Sequence, residues 1–455
     1  MNVVDPATGE VIDRVLDDRP ETIEAKVVAA RVAQREWAAR DVAERVAILA
    51  AFRRRVADRT DELAALLTSE TGKPITQSGN ELRGLLPRLD FFFEAAPRLL
   101  ADEVVLDDGT MREVVGREPL GVVANISAWN YPYFVGSNVF VPALLAGNAV
   151  VYKPSEHATL TGLAVASMLN DAGVPVDAFP VVVGAGDAGA QLLEQPVDGV
   201  FFTGSYRTGA LIADEMGARM VPVQLELGGK DPAYACDDVD VDTAAASLAD
   251  GAFYNNGQSC CSVERIYVHQ DVHDAFVGSF VANVDGFVRG DPTDPATYLG
   301  PLTRAEQLDV LDQQVADAVA RGARLVRGGR RVEGRQGWWY EPTVLTEVDH
   351  TMAVMRDESF GPIIGIQAVS GDDEAVERMA DTDYGLTAAV YTPDEARARA
   401  LLSRLDVGSA YWNCCDRVSP RLPWSGRGRS GLGVTLSTAG ITAFTRPRAW
   451  HLAKG

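Results

Sequence analysis

Through the N-terminal part of the chain, apolar residues recur at helical spacing. Val42, Val46, Leu49 and Phe52 form one stripe in Asp41–Ala57, with Asp41 placed to cap it. The same period predicts helices over Thr60–Glu70 and Leu82–Leu100. Around Val104–Arg117 it gives way to short extended segments about Asp107-Asp108-Gly109, a hairpin signal. Beyond Gly121, short apolar runs alternate with helical stretches. The runs are Gly121–Ile126, Ala149–Tyr152, Phe179–Val183, Gly199–Phe202 and Val221–Leu225, and helices are predicted over Leu160–Asn170 and Gly209–Met216. Such alternation predicts parallel strands joined by crossover helices, a doubly wound α/β sheet. A second α/β region follows, with strands Arg265–His269 and Ala389–Tyr391 and helices Val272–Val288 and Thr303–Gly322. The last apolar stretch, Ile441–Leu452, reads as extended.

A chain of 455 residues exceeds what one core usually serves, so two or more domains are expected. Its 47% apolar and 23% charged residues are ordinary for a globular protein. No apolar run reaches membrane-spanning length and the N-terminus lacks a basic-then-apolar leader, so a cytoplasmic location is expected. The five cysteines, two adjacent pairs and a single, suggest neither a disulfide framework nor a metal site. A net charge of −22 disfavours nucleic acid and anionic membranes as partners. Lysine is confined to Lys26, Lys73, Lys153, Lys230 and Lys454; an acidic surface suited to high salt and an arginine-biased genome explain this about equally well.

The turn Asn255-Asn256-Gly257-Gln258-Ser259-Cys260-Cys261 presents a thiol in a polar, glycine-punctuated setting, which a nucleophilic thiolate requires. A carboxylate suited to act as a base, Glu226, lies 34 positions upstream in Leu225-Glu226-Leu227-Gly228-Gly229-Lys230. These stretches resemble the active-site signatures of the aldehyde dehydrogenase superfamily, and the resemblance runs from Asp5-Pro6-Ala7-Thr8-Gly9 to near the C-terminus. It implies an α/β fold with a Rossmann-type cofactor domain (1–103 and 119–227), an α/β catalytic domain (228–437) and a small β extension (104–118 and 438–455). In the family the extension joins subunits, implying a homodimer or homotetramer.

The resemblance selects Cys260 over Cys261 as the nucleophile that attacks an aldehyde carbonyl. Ser127-Ala128-Trp129-Asn130-Tyr131-Pro132 resembles the family's Pro-Trp-Asn-aromatic-Pro signature, with Ala128 in place of proline. It implies that the Asn130 amide, with the Cys260 backbone N–H, stabilises the oxyanion. Glu226 would activate the water that releases the acid, which favours hydrolysis over acyl transfer to coenzyme A.

Gly184-Ala185-Gly186-Asp187-Ala188-Gly189 fits the ordinary dinucleotide fingerprint, but the family meets the pyrophosphate one strand later. Phosphate contact is therefore expected at Gly204, Ser205 and Gly209. Glu156, after Lys153, would hold the adenine ribose and favour NAD, with NADP possible. Glu358 and Phe360, in a Glu-x-Phe-Gly-Pro motif, would hold the nicotinamide ribose and ring. Ile126, Trp129, Leu227 and Gly228 complete the expected cofactor contacts.

By family position the aldehyde tunnel includes Tyr131, Phe134, Tyr254, Val418 and Trp424. Three aromatics, Tyr131, Tyr254 and Trp424, suit an ammonium-binding box, although Asn138 stands where its tryptophan wall would be. An apolar tunnel is the more ordinary reading. Arg417 and Arg421 offer a carboxylate anchor instead. Near the C-terminus the family's Arg-Glu is replaced by Val434-Thr435, which is expected to leave the chemistry intact. Alternatives are a coenzyme-A-acylating, semialdehyde- or aminoaldehyde-specific, or non-catalytic member.

Overall fold

A computed structural model describes residues 1–454; Gly455, last of the expected extension, lies outside the described residues. The expected helices form as Val42–Asp58, Thr60–Thr71 and Ile75–Leu99, each burying its apolar stripe. Asp41 sits at the N-cap position but makes no side-chain capping bond. An additional hairpin, Asn2–Val4 with Val11–Arg14, and a helix, Pro20–Ala38, precede them.

Five strands build the first sheet, in the order Gly431–Leu432, Val223–Glu226, Gly199–Thr203, Val122–Ile126, Ala149–Lys153. The last four run parallel. Val122 and Ala124 face a core shared with Ile23, Val27 and Leu192, while Val123 faces the core of the long helices. A sheet buried on both faces explains why its strands read as unbroken apolar runs. Phe179–Val183 does not form the expected strand. It joins the edge only through a bridge from Val181 to Tyr152, because Pro180 has no N–H to continue a ladder.

The second sheet has seven strands, ordered Arg324–Arg327, Thr343–Thr346, Ile363–Val369, Val263–His269, Asp231–Ala235, Thr387–Tyr391, Ser409–Trp412. The small third sheet pairs the hairpin Glu103–Asp107 and Met111–Pro119 with Thr445–Ala453. The extended stretch expected from Ile441 therefore starts later. Ser437–Thr442 is a short helix that seats Ile441 in the core of the N-terminal helices. Gly431–Leu432 also departs from the expected boundaries: although inside 228–437, it returns to the first sheet, where Gly431 lies opposite Glu226.

Parallel pairing puts the carboxyl ends of neighbouring strands at one edge. Ile126 pairs with Lys153 and Phe202, and Thr203 with Glu226. Ile126, Lys153 and Glu226, all expected site residues, therefore share that edge, at the point where strand order reverses.

Candidate active site

The cysteine-bearing turn is held by its own side chains. Asn255 and Asn256 adopt the left-handed conformation (φ 53° and 56°), where asparagine is the tolerated non-glycine residue. Asn256 Nδ2 donates to the carbonyls of Gly300 (2.9 Å) and Pro301 (2.7 Å), and Gln258 Oε1 accepts from Thr303 N–H (2.9 Å). A Cβ on Gly257 would approach the Gly361 carbonyl oxygen at 2.5 Å, so glycine is required there. The two thiols differ sharply. Cys260 is half-buried and lines a cavity of about 560 Å³. Cys261 is buried and its Sγ donates to Asp416 Oδ1 at 3.0 Å. The adjacent Cys260 side chain, burial and Asp416 push the Cys261 thiol well above its ordinary range, so it stays protonated.

Asn130 and Glu226 line the same cavity as Cys260. Asn130 is buried, and its Oδ1 has no hydrogen-bond partner among the described residues. Glu226 ends its strand with the carboxylate accepting from Thr435 Oγ1 and from Gln224 Nε2 (3.3 Å). Burial raises its pKa, opposed by those two bonds and by the charge of Arg88. Thr435, part of the Val434-Thr435 departure, therefore hydrogen-bonds Glu226, the expected base. Tyr131, Phe134, Tyr254, Val418 and Trp424 also line the cavity.

A second group of expected residues surrounds the carboxyl edge of the first sheet. Trp129 and Phe360 meet edge to face at 5.5 Å. Phe360 takes a positive φ of 45°, a strained conformation for an aromatic residue, of the kind that persists at sites over-determined by their surroundings. What holds it is a buried ion pair: Lys230 Nζ donates to Glu264 Oε2 (2.6 Å) and Ser359 Oγ (3.0 Å), while Glu264 accepts from the backbone N–H groups of Ser359 and Phe360. The neighbouring Glu358 accepts from Gly229 N–H at 3.1 Å, and a Cβ on Gly228 would collide with its carboxylate. Burial and the Glu264 charge raise Glu358 to about 8.

Dinucleotide fits this edge. Gly204-Ser205 leads into the helix Tyr206–Ala218, with Ser205 as N-cap, and the first turn of a helix leaves N–H groups available to an anion. Gly209 differs from its expected role. Its N–H donates to Ser205 O within the helix, and a Cβ there would meet Leu227 Cδ2 at 2.5 Å. Glycine serves close packing at that position, with its amide already engaged. Lys153 is buried at its strand end and Glu156 follows in a short 3₁₀ turn.

Over residues 1–450 the chain matches the family model described as the aldehyde dehydrogenase family. It belongs to that family. Among curated relatives it is similar to 3,6-anhydro-alpha-L-galactose dehydrogenase of Streptomyces coelicolor, 39% identical over 99% of this chain and 92% of the relative. It is also similar to succinate-semialdehyde dehydrogenase [NADP(+)] of Deinococcus radiodurans, 36% identical over 98% and 93%. The solved structure of PnpE in complex with nicotinamide adenine dinucleotide superposes with a TM-score of 0.96 at 32% identity, over 100% of this chain and 94% of that one. As an aldehyde dehydrogenase, the chain is an NAD(P)-dependent oxidoreductase with an α/β fold of the family type. No helix among the described residues is long and apolar enough to cross a membrane.

Sequence reasoning missed three residues that touch this site: Arg88, Thr435 and Asp416. Arg88 carried a detectable signal, being a charged residue on the stripe of Leu82, Leu85, Leu89 and Phe92 that its helix buries. The other two become neighbours of Glu226 and Cys261 only through chain reversals more than 150 residues long.

Proposed function

We propose that this chain oxidises an aldehyde to the carboxylic acid with NAD in preference to NADP, by covalent catalysis at Cys260 and hydrolysis assisted by Glu226. One observation carries the reading: Cys260, Asn130 and Glu226 line a single cavity, while Cys261, which also borders it, is buried and hydrogen-bonded to Asp416. The Cys260 thiolate adds to the aldehyde carbon, and the Asn130 amide and Cys260 N–H donate to the resulting oxyanion. Bound NAD supplies the acceptor for the hydride. Glu226 then takes a proton from water as that water attacks the thioester, breaking the C–S bond and releasing the acid and the Cys260 thiolate. Its carboxylate favours water over coenzyme A as acyl acceptor.

Ile126, Trp129, Lys153, Glu156, Gly204, Ser205, Leu227, Gly228, Glu358 and Phe360 are the proposed cofactor contacts. Tyr131, Phe134, Tyr254, Val418 and Trp424 form the proposed tunnel walls. The division into cofactor domain, catalytic domain and strand extension is proposed with the Gly431–Leu432 return noted above, and the extension is proposed to join subunits.

NADH formation across aliphatic, aromatic, cationic and carboxylated aldehydes, with and without coenzyme A, tests the reading. Turnover without coenzyme A is expected. Cys260→Ala should abolish it with NAD binding retained, and Glu226→Gln should accumulate acyl-enzyme. Retained turnover in Cys260→Ala would remove the nucleophile assignment, and strict dependence on coenzyme A would remove the hydrolytic one.

A further inference from the structure

Arg88 is a cation buried in the wall of the reaction cavity with no carboxylate in ion-pair contact among the described residues. Its side chain is 4% exposed, and it lines the space that holds Cys260, Asn130 and Glu226. Nη1 donates to Asn138 Oδ1 at 2.7 Å, and the guanidinium stacks over the Phe134 ring at 4.1 Å. Nε has no hydrogen-bond partner among the described residues. Neither nearby carboxylate forms an ion pair with it: Glu81 is bound to Lys73 Nζ at 2.5 Å, and Glu226 is engaged by Thr435 and Gln224. Burying a guanidinium with one neutral hydrogen bond is costly, and the Phe134 ring and the charges of Glu226 and Glu81 beyond ion-pair contact offset it only in part. Its planar fork is shaped for a carboxylate.

Glu81, Glu226, Asp250, Asp416 and Arg417 also line the cavity; Glu81 is paired with Lys73 and Asp250 accepts from the Tyr298 hydroxyl. Tyr131, one wall of a prospective ammonium box, already has Lys73 Nζ 3.8 Å over its ring. An ammonium-bearing aldehyde in this cavity would meet Arg88. Asp416 also lines the cavity, accepts from Cys261 and Ser259, and has a pKa raised by burial to about 6. Burial brings Arg88 down to about 10, leaving it charged near neutrality.

We propose that Arg88, oriented by Asn138, is the specificity-determining residue of this cavity and receives the carboxylate of an aldehyde that bears one at its far end. The inference rests on the proposed aldehyde oxidation at Cys260 and adds the substrate class.

Kinetics with 4-oxobutanoate, 5-oxopentanoate and 6-oxohexanoate, each against its uncharged methyl ester, test it in the wild type and in Arg88→Met. The acids should be preferred by the wild type. In Arg88→Met their KM should rise on the order of 10- to 100-fold, as for loss of a charge-assisted hydrogen-bonded pair, with the esters little changed. Asn138→Asp keeps the volume and Arg88 but supplies an internal counterion; it should raise KM for the acids selectively and guards against a folding defect in the first variant. Losses of kcat shared by acids and esters with no selective rise in KM for the acids would show action through Glu226 alone and overturn the proposal, as would wild-type indifference to the carboxylate. A binding arm separates the two readings. Glutarate should protect Cys260 from iodoacetamide in the wild type and fail to do so in Arg88→Met. Protection with no aldehyde oxidised would refute the proposed reaction and leave the anion site standing; equal protection in both proteins would refute the anion site.

Discussion

At the scale of the residue, the site is built on differences between neighbours of the same type. Cys260 and Cys261 are adjacent and both border the cavity, yet Cys261 is the more buried and its thiol is engaged by Asp416. Glu226 is governed by opposing effects, burial raising its pKa and the bonds from Thr435 and Gln224 lowering it. A base must be deprotonated to act, so hydrolysis of the acyl-enzyme should rise with pH through the Glu226 ionisation, on a limb displaced upward from an ordinary carboxylate. Thr435→Val removes a bond to the charged form and should move that limb to still higher pH. Pre-steady-state deacylation measured against pH would show it, and an unmoved limb would mean that Thr435 does not tune the base.

At the scale of the element, glycines and one ion pair let segments approach closely. The helix Tyr206–Ala218 reaches Leu227 only because position 209 lacks a side chain. Gly209→Ala should destabilise the protein by about 1–3 kcal/mol through overpacking, and also weaken NAD binding as the helix N-terminus shifts. Thermal melts with and without NAD would measure both, and an unchanged melt would show that Leu227 yields freely. The motif Gly228-Gly229-Lys230, read in sequence as part of the carboxylate signature, acts here as a bracket: Lys230 and Glu264 fix the Ser359-Phe360 backbone at a positive φ beside Trp129. That role was not legible from spacing, because Lys230, Glu264 and Ser359 are far apart in the chain.

For the whole molecule, the outlying sheet is the part least explained by a single copy of the chain. Val104, Val105 and Leu106 on its edge strand, and Trp450 and Leu452 on the C-terminal strand, are exposed large apolar residues. Unpaired strand edges and exposed apolar groups invite a second copy. The chain should therefore run as an oligomer in light scattering, and Val105→Lys with Leu106→Lys should lower the molar mass. A wild-type monomer would overturn the assembly proposed here.

Periodicity alone determined the helical N-terminal region and the alternation of strand and helix, since each element buries a face and repeats at its own period. The motifs determined the nucleophile, oxyanion donor and base as candidates, because their chemistry depends on residue type and local turn geometry. Proline-broken Phe179–Val183 and the helix Ser437–Thr442 escaped this reading: neither the loss of a ladder donor at a sheet edge nor the burial of Ile441 alters local apolar character. Only the tertiary structure decided which groups oppose one another across the cavity. Thr435 on Glu226, Asp416 on Cys261 and the buried charge of Arg88 each depend on contacts between distant segments, and electrostatics at such contacts follows from burial and distance, which one sequence does not encode position by position.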